Sequence, residues 1–186
     1  MNIAIDIDDT ITDTYETLIP MIGIYYGVNI DKLLKTAPSY KMLKNKLSGY
    51  ESFVKTNFPI MANIVPLKKD VVSVINKLKE DGHRIIIITG RNNDEYPDPY
   101  KISLDYLTKN NVPFDKLIVN AKDKAKQCIL ENIDVFIDDN TQICKAVEKT
   151  GIRTFQFATK FNKKNKTLNK VDSWEDLYNK ISNIYA

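Results

Sequence analysis

The chain has 186 residues, of which 43% are hydrophobic and 27% are charged, with a formal net charge of +3 at pH 7. This length supports one hydrophobic core with a small appendage, and the composition is that of an ordinary globular protein. The net charge is too small to indicate a surface for a nucleic-acid polymer. No apolar run reaches the roughly 20 residues needed to span a membrane, and no signal peptide precedes the first apolar run. We therefore expect a cytoplasmic protein, with Cys128 and Cys144 reduced.

The first predicted strand, residues 3–7, runs into a cluster of acidic residues. The cluster consists of Asp6, Asp8, Asp9 and Asp13. Like charges this close together repel and raise one another's pKa, so a buried strand does not normally end in them. A divalent cation is the usual means of stabilising such a cluster, and oxygen ligands with open positions suit Mg²⁺ bound together with a phosphate.

Residues 14–65 follow with no convincing strand and predict a small helical cap inserted after the first strand. Short helices are expected at 15–26, 30–35, 40–46 and 50–58. The segment is rich in aromatic residues, namely Tyr15, Tyr25, Tyr26, Tyr40, Tyr50, Phe53 and Phe58. These predict the core of the cap; the alternative is that one or two of them, Tyr15 among them, face the site and stack on a substrate ring.

Beyond the insertion, short apolar runs alternate with helical patterns. Strands are predicted at 84–89, 116–119, 135–138 and 153–157. Helices are predicted at 69–80, 99–109, 123–132, 141–149 and 174–185, the last with Ser173 as its N-cap. This alternation is typical of an α/β fold with a Rossmann-like, doubly wound parallel sheet. We expect residues 1–13 and 66–186 to form the core and residues 14–65 to form the cap.

Polar residues follow several of these strands. They are Thr89 and Arg91 after the second strand, Lys122 and Lys124 after the third, and Asp138, Asp139 and Asn140 at the end of the fourth. Because the carboxyl ends of parallel strands meet at one edge of a sheet, these side chains should meet the first acidic cluster. Carboxylates, a cation, a hydroxyl and a lysine together describe a phosphoryl-transfer site.

These motifs resemble those of the haloacid dehalogenase-like (HAD) hydrolase superfamily. The first motif of that family matches Asp6-Ile7-Asp8-Asp9-Thr10, its second matches Thr89, and its acidic pair matches Asp138-Asp139. The run Lys122-Asp123-Lys124 before Ile137-Asp138-Asp139 is similar to the cytosolic 5′(3′)-deoxyribonucleotidases and their bacterial relatives. On that match Lys124, rather than Lys122, is the motif lysine.

The resemblance implies a mechanism and a set of roles. Asp6 would form an aspartyl-phosphate, Asp8 would move the proton, and Thr89 and Lys124 would hold the phosphoryl oxygens. Mg²⁺ would be held by the Asp6 carboxylate, the backbone carbonyl of Asp8, and Asp138 and Asp139. Arg91, Tyr15 and Asn140 are candidate substrate-binding residues, whereas Asp9 and Asp13 are expected to be turn or cap-hinge residues.

The expected function is a Mg²⁺-dependent phosphatase acting on a small phosphorylated metabolite, preferably a nucleotide. A sugar or other small-metabolite phosphatase is the alternative, and a phospho-accepting receiver domain is disfavoured because its phosphoacceptor lies on a later strand. A catalytically silent binding protein is disfavoured by the intact acids. The aromatics of the cap could support a homodimer. His83 lies away from the site, and the basic segment 160–166 is expected to be a solvated loop.

Overall fold

A parallel sheet forms the centre of the molecule in the computed structural model, which describes residues 1–36, 40–162 and 169–184. Within these ranges the sheet has six strands in the order β3-β2-β1-β4-β5-β6. The strands are β1 (Asn2–Ile5), β2 (Arg84–Ile88), β3 (Lys116–Ile118), β4 (Val135–Asp138), β5 (Arg153–Phe157) and β6 (Lys170–Val171). The predicted Rossmann-like α/β fold is confirmed.

Helices connect the strands and flank the sheet. They are α1 (Thr14–Tyr26), α2 (Ile30–Thr36), α3 (Tyr40–Lys46), α4 (Tyr50–Ile64), α5 (Val71–Glu80), α6 (Pro99–Lys109), α7 (Lys124–Leu130), α8 (Thr141–Glu148) and α9 (Trp174–Ser182). No helix in the described ranges is long and apolar enough to cross a bilayer. Ser173 caps α9 as predicted, because its side chain accepts a hydrogen bond from the Asp176 N–H at 3.0 Å. Position 185, the predicted end of that helix, lies outside the described residues.

The two faces of the sheet bury alternate residues of the same strands. Ile3 and Ile5 of β1 pack in one cluster with Leu78 of α5 and Leu177 of α9. On the opposite face, Ala4 packs with side chains of β2, β4, α7 and α8, including Ile86, Phe136, Cys128 and Val147. Because successive strand residues point to opposite faces, helices on both sides are needed to cover a strand that is apolar throughout. Cys128 and Cys144 are buried and free.

Several boundaries differ from the predicted ones. β1 ends at Ile5 rather than at residue 7, because the chain turns there and the N–H groups of Thr10, Ile11 and Thr12 all donate to the Ile7 carbonyl.

Helix α4 continues beyond residue 58, through Pro59, to Ile64. Proline removes one helical hydrogen bond, but burial of Met61 and Ala62 on the following turn stabilises the extension. The two-residue strand β6 is too short to show a pattern in the sequence.

Helices α1–α4 lie between β1 and α5 and supply most of a second apolar cluster, which Tyr96 also joins. Its members include Leu18, Ile22, Tyr50, Phe53, Phe58 and Met61. The chain enters and leaves this insertion through adjacent segments, bridged at Thr12 and Leu67. The side chain of Tyr40 lies outside the described residues. A division into core and cap at residues 13 and 66 remains a prediction.

Register places the functional strand ends together. Ile5 of β1 pairs with Ile87 of β2 on one side and with Ile137 of β4 on the other. The residues that follow these positions therefore emerge at the same edge of the sheet, at its centre. Asp6 extends this alignment by donating its N–H to the Ile137 carbonyl at 3.0 Å.

Candidate active site

A buried lysine joins two carboxylates at the centre of the sheet edge. The Nζ atom of Lys124, the first residue of α7, lies 2.6 Å from Asp6 Oδ1 and 2.7 Å from Asp138 Oδ2. All three side chains are buried, with Asp138 fully inaccessible. A buried charge is tolerated only when it is paired, so the two acids and the lysine stabilise one another. Lys122 is exposed, which leaves Lys124 as the lysine that enters the cluster.

Three carboxylates at this edge could hold a divalent cation. Ligand oxygens from Asp6, Asp138 and Asp139 lie within 4.8 Å of one another. Burial raises the pKa of Asp6 to about 7, although Lys124 opposes the rise. Burial, and then the neighbouring Asp138, raise the pKa of Asp139 well above its usual range. A bound divalent cation would stabilise the ionised form of such a group, and an all-oxygen donor set suits Mg²⁺, so these residues fit the metal.

Asp8 belongs to a different arrangement and points toward Arg91. Arg91 binds its carboxylate with two parallel hydrogen bonds, from Nε to Oδ2 and from Nη2 to Oδ1, both at 2.9 Å. The Thr14 hydroxyl, at the start of α1, donates to Oδ1 at 2.8 Å. Burial raises the pKa of Asp8, but the Arg91 charge and these hydrogen bonds outweigh it, so the pKa lies below its ordinary value.

The carboxylate of Asp8 therefore lies outside the three-carboxylate cluster. Any contribution of Asp8 to the metal would come from its backbone carbonyl, as expected from the resemblance, and remains a prediction.

The two remaining acids of the first cluster connect the sheet to the insertion. Asp9 adopts a left-handed backbone (φ 59°) and is buried, and its Oδ1 accepts the N–H of Tyr15 at 3.0 Å. Burial raises the pKa of Asp9 to about 8. Asp13 forms a 2.6 Å ion pair with Lys68, beyond the far end of the insertion. Both residues thus lie at the junction where the sequence predicts a hinge. The burial of Asp9 and its position on the wall of the active-site cavity have no signal in the sequence.

The other predicted residues line the same edge. Thr89 is almost fully buried, and its hydroxyl accepts the Arg91 N–H at 3.3 Å. Asn140 caps α8 through its side-chain oxygen and donates its own N–H to Asp138 Oδ1 at 2.7 Å. Asn140 therefore holds Asp138 and begins a helix, while its exposed side chain also borders the cavity.

A cavity of about 350 Å³ connects this edge to the insertion. Its polar end contains the carboxylates, Thr89, Lys124 and Arg91. Its opposite wall is mainly apolar and aromatic and consists of Tyr15, Leu18, Phe58, Met61 and Tyr96. Tyr15 is a predicted site residue, and Phe58 belongs to the aromatic set from which one or two rings could face the site. Leu18, Met61 and Tyr96 are not predicted, because helical spacing shows which residues share a face but not which face meets the sheet. Tyr96 also lies beside Arg91, whose guanidinium carbon is 5.5 Å from the ring centre.

Comparisons with known proteins agree with this architecture. A curated nucleotidase of Clostridium acetobutylicum is 30% identical over 191 residues, which span 100% of this chain and 95% of the relative. No family model matches the chain.

Among solved structures, a predicted phosphoglycolate phosphatase from Haemophilus somnus aligns with a TM-score of 0.66 at 15% identity, over 97% of each chain. A HAD-superfamily hydrolase from Geobacter sulfurreducens aligns with a TM-score of 0.61 at 10% identity, over 97% of this chain and 95% of that one. These two likenesses show the fold, and the curated relative shows the family. The chain belongs to the haloacid dehalogenase-like hydrolase superfamily and is an enzyme of its phosphatase type.

Proposed function

We propose that this enzyme is a Mg²⁺-dependent phosphatase that hydrolyses 5′-nucleotides, ribo or deoxy, through an aspartyl-phosphate intermediate. The observation that carries the proposal is the two-ended cavity. One end concentrates the carboxylates and Lys124, and the other presents aromatic and apolar side chains that suit the ring of a small phosphorylated compound. The name of the curated relative points to the same substrate class.

The nucleophile in this mechanism is Asp6. Its carboxylate attacks phosphorus, the bond to the leaving oxygen breaks, and an aspartyl-phosphate forms. Lys124 and Thr89 are placed to donate to the transferring phosphoryl oxygens, whose negative charge they stabilise. Asp6, Asp138 and Asp139 would hold Mg²⁺, which supplies positive charge between the attacking carboxylate and the phosphate.

The proton shuttle is Asp8. In its acid form it gives a proton to the leaving oxygen, and as a carboxylate it then takes a proton from the water that attacks the aspartyl-phosphate and frees Asp6. Arg91 and Thr14 hold both oxygens of the Asp8 carboxylate in the orientation described above. Because these bonds favour the ionised form, they prepare Asp8 for the second step, in which it acts as a base.

Arg91 also contributes to substrate binding. Arg91 lines the cavity beside the carboxylates, and its third nitrogen, Nη1, is buried with no hydrogen-bond partner in the part of the chain that the structure describes. A guanidinium group at the edge of a phosphate site is a suitable donor for a substrate oxygen. We assign it to the phosphate or its ester oxygen, with Tyr15 and Phe58 against the base or sugar.

A phosphate-release screen tests the proposed substrate. Purified protein is incubated with Mg²⁺ and deoxyribonucleotides, ribonucleotides or sugar phosphates, and the Asp6→Asn variant serves as the control for contaminating activity. Release from nucleoside 5′-monophosphates by the natural chain alone supports the proposal. Release from sugar phosphates with none from any nucleotide rejects the nucleotide and leaves the sugar-phosphatase alternative.

A further inference from the structure

Glu95 lies in the turn between β2 and α6 and borders the active-site cavity next to Tyr96. The turn fixes this half-buried side chain in place. Its Oε2 accepts a hydrogen bond from Asn92 Nδ2 at 3.2 Å, and the Glu95 N–H donates to the Asn92 carbonyl at 3.2 Å. A side chain held in this way is an oriented group on the cavity wall rather than a mobile surface charge.

The second oxygen of this carboxylate has no partner among the described residues. Across residues 1–36, 40–162 and 169–184, Oε1 accepts no hydrogen bond, and Glu95 forms no ion pair within 4.0 Å. Burial and the charge of Asp8 raise the pKa of Glu95, and the charge of Lys44 opposes them. Glu95 and Asp8 line the same cavity, so the Glu95 carboxylate borders the space that the proposed substrate would occupy.

A second opening adjoins the catalytic cavity at this residue. It has a volume of about 490 Å³, and its walls come from α3, α4 and the turn at residues 92–95. Glu95 borders both spaces, whereas Asp94 borders only the second. A leaving group that extended from the phosphate past Tyr96 toward the second opening would meet the Glu95 carboxylate.

We propose that Glu95 selects the leaving group of the substrate, accepting a hydrogen bond from a hydroxyl or amino group and repelling a leaving group that carries a negative charge. This inference rests on the proposed phosphatase function and sharpens its substrate class. A nucleoside offers sugar hydroxyls and, on several bases, an amino group. A phosphomonoester such as 2-phosphoglycolate instead places a carboxylate beside Glu95, where two like charges in a partly buried site repel.

The acidity of the cavity strengthens the argument. Besides Glu95, its walls contain five aspartates, Asp6, Asp8, Asp9, Asp138 and Asp139, against three cations, Arg91, Lys122 and Lys124. Apart from Glu95, all of these acids lie at the polar end, where they have ion-pair, hydrogen-bond or proposed metal partners. Among the acids that line the two cavities in the described residues, Glu95 is the one that borders both, so its charge would bear on selectivity rather than on phosphoryl transfer.

The test compares kcat/KM for a nucleoside 5′-monophosphate, ribose 5-phosphate and 2-phosphoglycolate in the natural chain, Glu95→Gln and Glu95→Ala. Removing the charge should shift the ratio of nucleotide to 2-phosphoglycolate activity by about tenfold toward 2-phosphoglycolate, mainly through KM. Asp94→Asn removes the same charge one residue away, on an exposed side chain, and should leave the ratio unchanged. An unchanged ratio in both Glu95 variants, or an equal shift in Asp94→Asn, would overturn the proposal.

These measurements distinguish a failure of the nucleotidase proposal from a failure of the proposal about Glu95. If the natural chain releases phosphate from ribose 5-phosphate but from no nucleotide, the nucleotide assignment fails, and the ratio of ribose 5-phosphate to 2-phosphoglycolate still reports on Glu95. Calorimetric binding of the three esters to Asp6→Asn, with and without Glu95→Gln, gives the same selectivity without turnover. Equal binding preferences in these two proteins contradict the role of Glu95 whatever the substrate is.

Discussion

The two ends of the cavity are built in opposite ways. At the sheet edge, Asp6, Asp138 and Lys124 are fixed by strand register, burial and ion pairs of 2.6–2.7 Å. At the opposite wall, Phe58 and Met61 pack in an apolar cluster of the insertion that also contains Tyr96, and they contribute surface rather than charge. From this difference we infer that the sheet edge sets the reaction, whereas the insertion and the turn that carries Tyr96 set the choice of substrate. The following experiments test that separation.

The largest effect is expected at the nucleophile. Asp6→Asn keeps the size of the side chain but removes the attacking carboxylate, so kcat should fall by at least about 10³-fold for every substrate. Phosphate release measures the rate, and circular dichroism with thermal unfolding checks that the fold is retained. Turnover at the natural level by the purified variant would remove Asp6 as nucleophile and locate the chemistry elsewhere.

Removal of the metal should affect all substrates equally, because the metal cluster lies entirely at the sheet edge. EDTA should stop phosphate release, and added Mg²⁺ should restore it. Independently of activity, Mg²⁺ should raise the thermal unfolding midpoint of the natural chain but not that of Asp139→Asn, because ligand binding stabilises the folded state only where the site is intact. Phosphate release that continues at the same rate in EDTA would contradict the metal assignment.

Replacing the buried lysine should weaken both the fold and the reaction. Lys124→Met leaves the buried carboxylates of Asp6 and Asp138 without their cation, and the free energy of unfolding should fall by about 3–5 kcal/mol. Urea unfolding measures the loss. The exposed Lys122→Met provides the matched control, with an expected change within about 0.5 kcal/mol. Equal losses in the two variants would contradict the central position of Lys124.

A change at the opposite wall should alter recognition but not chemistry. Tyr15→Ala should raise KM for nucleotides by up to about tenfold, because a ring contact is lost, and should leave p-nitrophenyl phosphate turnover nearly unchanged. Tyr100→Ala removes a half-exposed ring of α6 that does not border the cavity, and serves as the control. A fall in kcat common to both substrates would show that the two ends are not separable in this way.

The smallest effect concerns a pair far from the site. Partial burial raises the pKa of Asp115, but hydrogen bonds from Lys79 and the Ile85 N–H outweigh it and hold the pKa below its usual value. A lowered folded-state pKa gives stability above the unfolded-state pKa, and this stability is lost as the pH falls through the folded-state pKa. Asp115→Asn should therefore cost below about 1 kcal/mol near neutral pH and nothing in strong acid, measured by urea unfolding at several pH values. A cost that persists in strong acid would contradict the ionic origin.

The sequence predicts the sheet edge better than the opposite wall, for physical reasons. A buried strand followed by a polar residue is a local pattern, so Asp6, Thr89 and Asp138 could each be placed at a strand end before their neighbours were known. The pairing of Asp8 with Arg91 joins residues 83 positions apart and has no local signal. The positions of Phe58 and Tyr96 on the cavity wall also have no local signal in the sequence, because they depend on how the insertion packs on the sheet. Ile7 was assigned to a strand because it is apolar and buried, although its carbonyl closes a turn.

The position of β1 at the centre of the sheet has a consequence for synthesis of the chain. Residues 2–5 are made well before their partners in β2 and β4, which lie at 84–88 and 135–138. Chains are made from the N-terminus, and pairings between distant segments form slowly. The first strand is therefore unpaired on its β4 side until residue 138 has emerged, and the proposed site is incomplete until then. The strand order thus leaves an apolar segment exposed during translation of the residues between its partners.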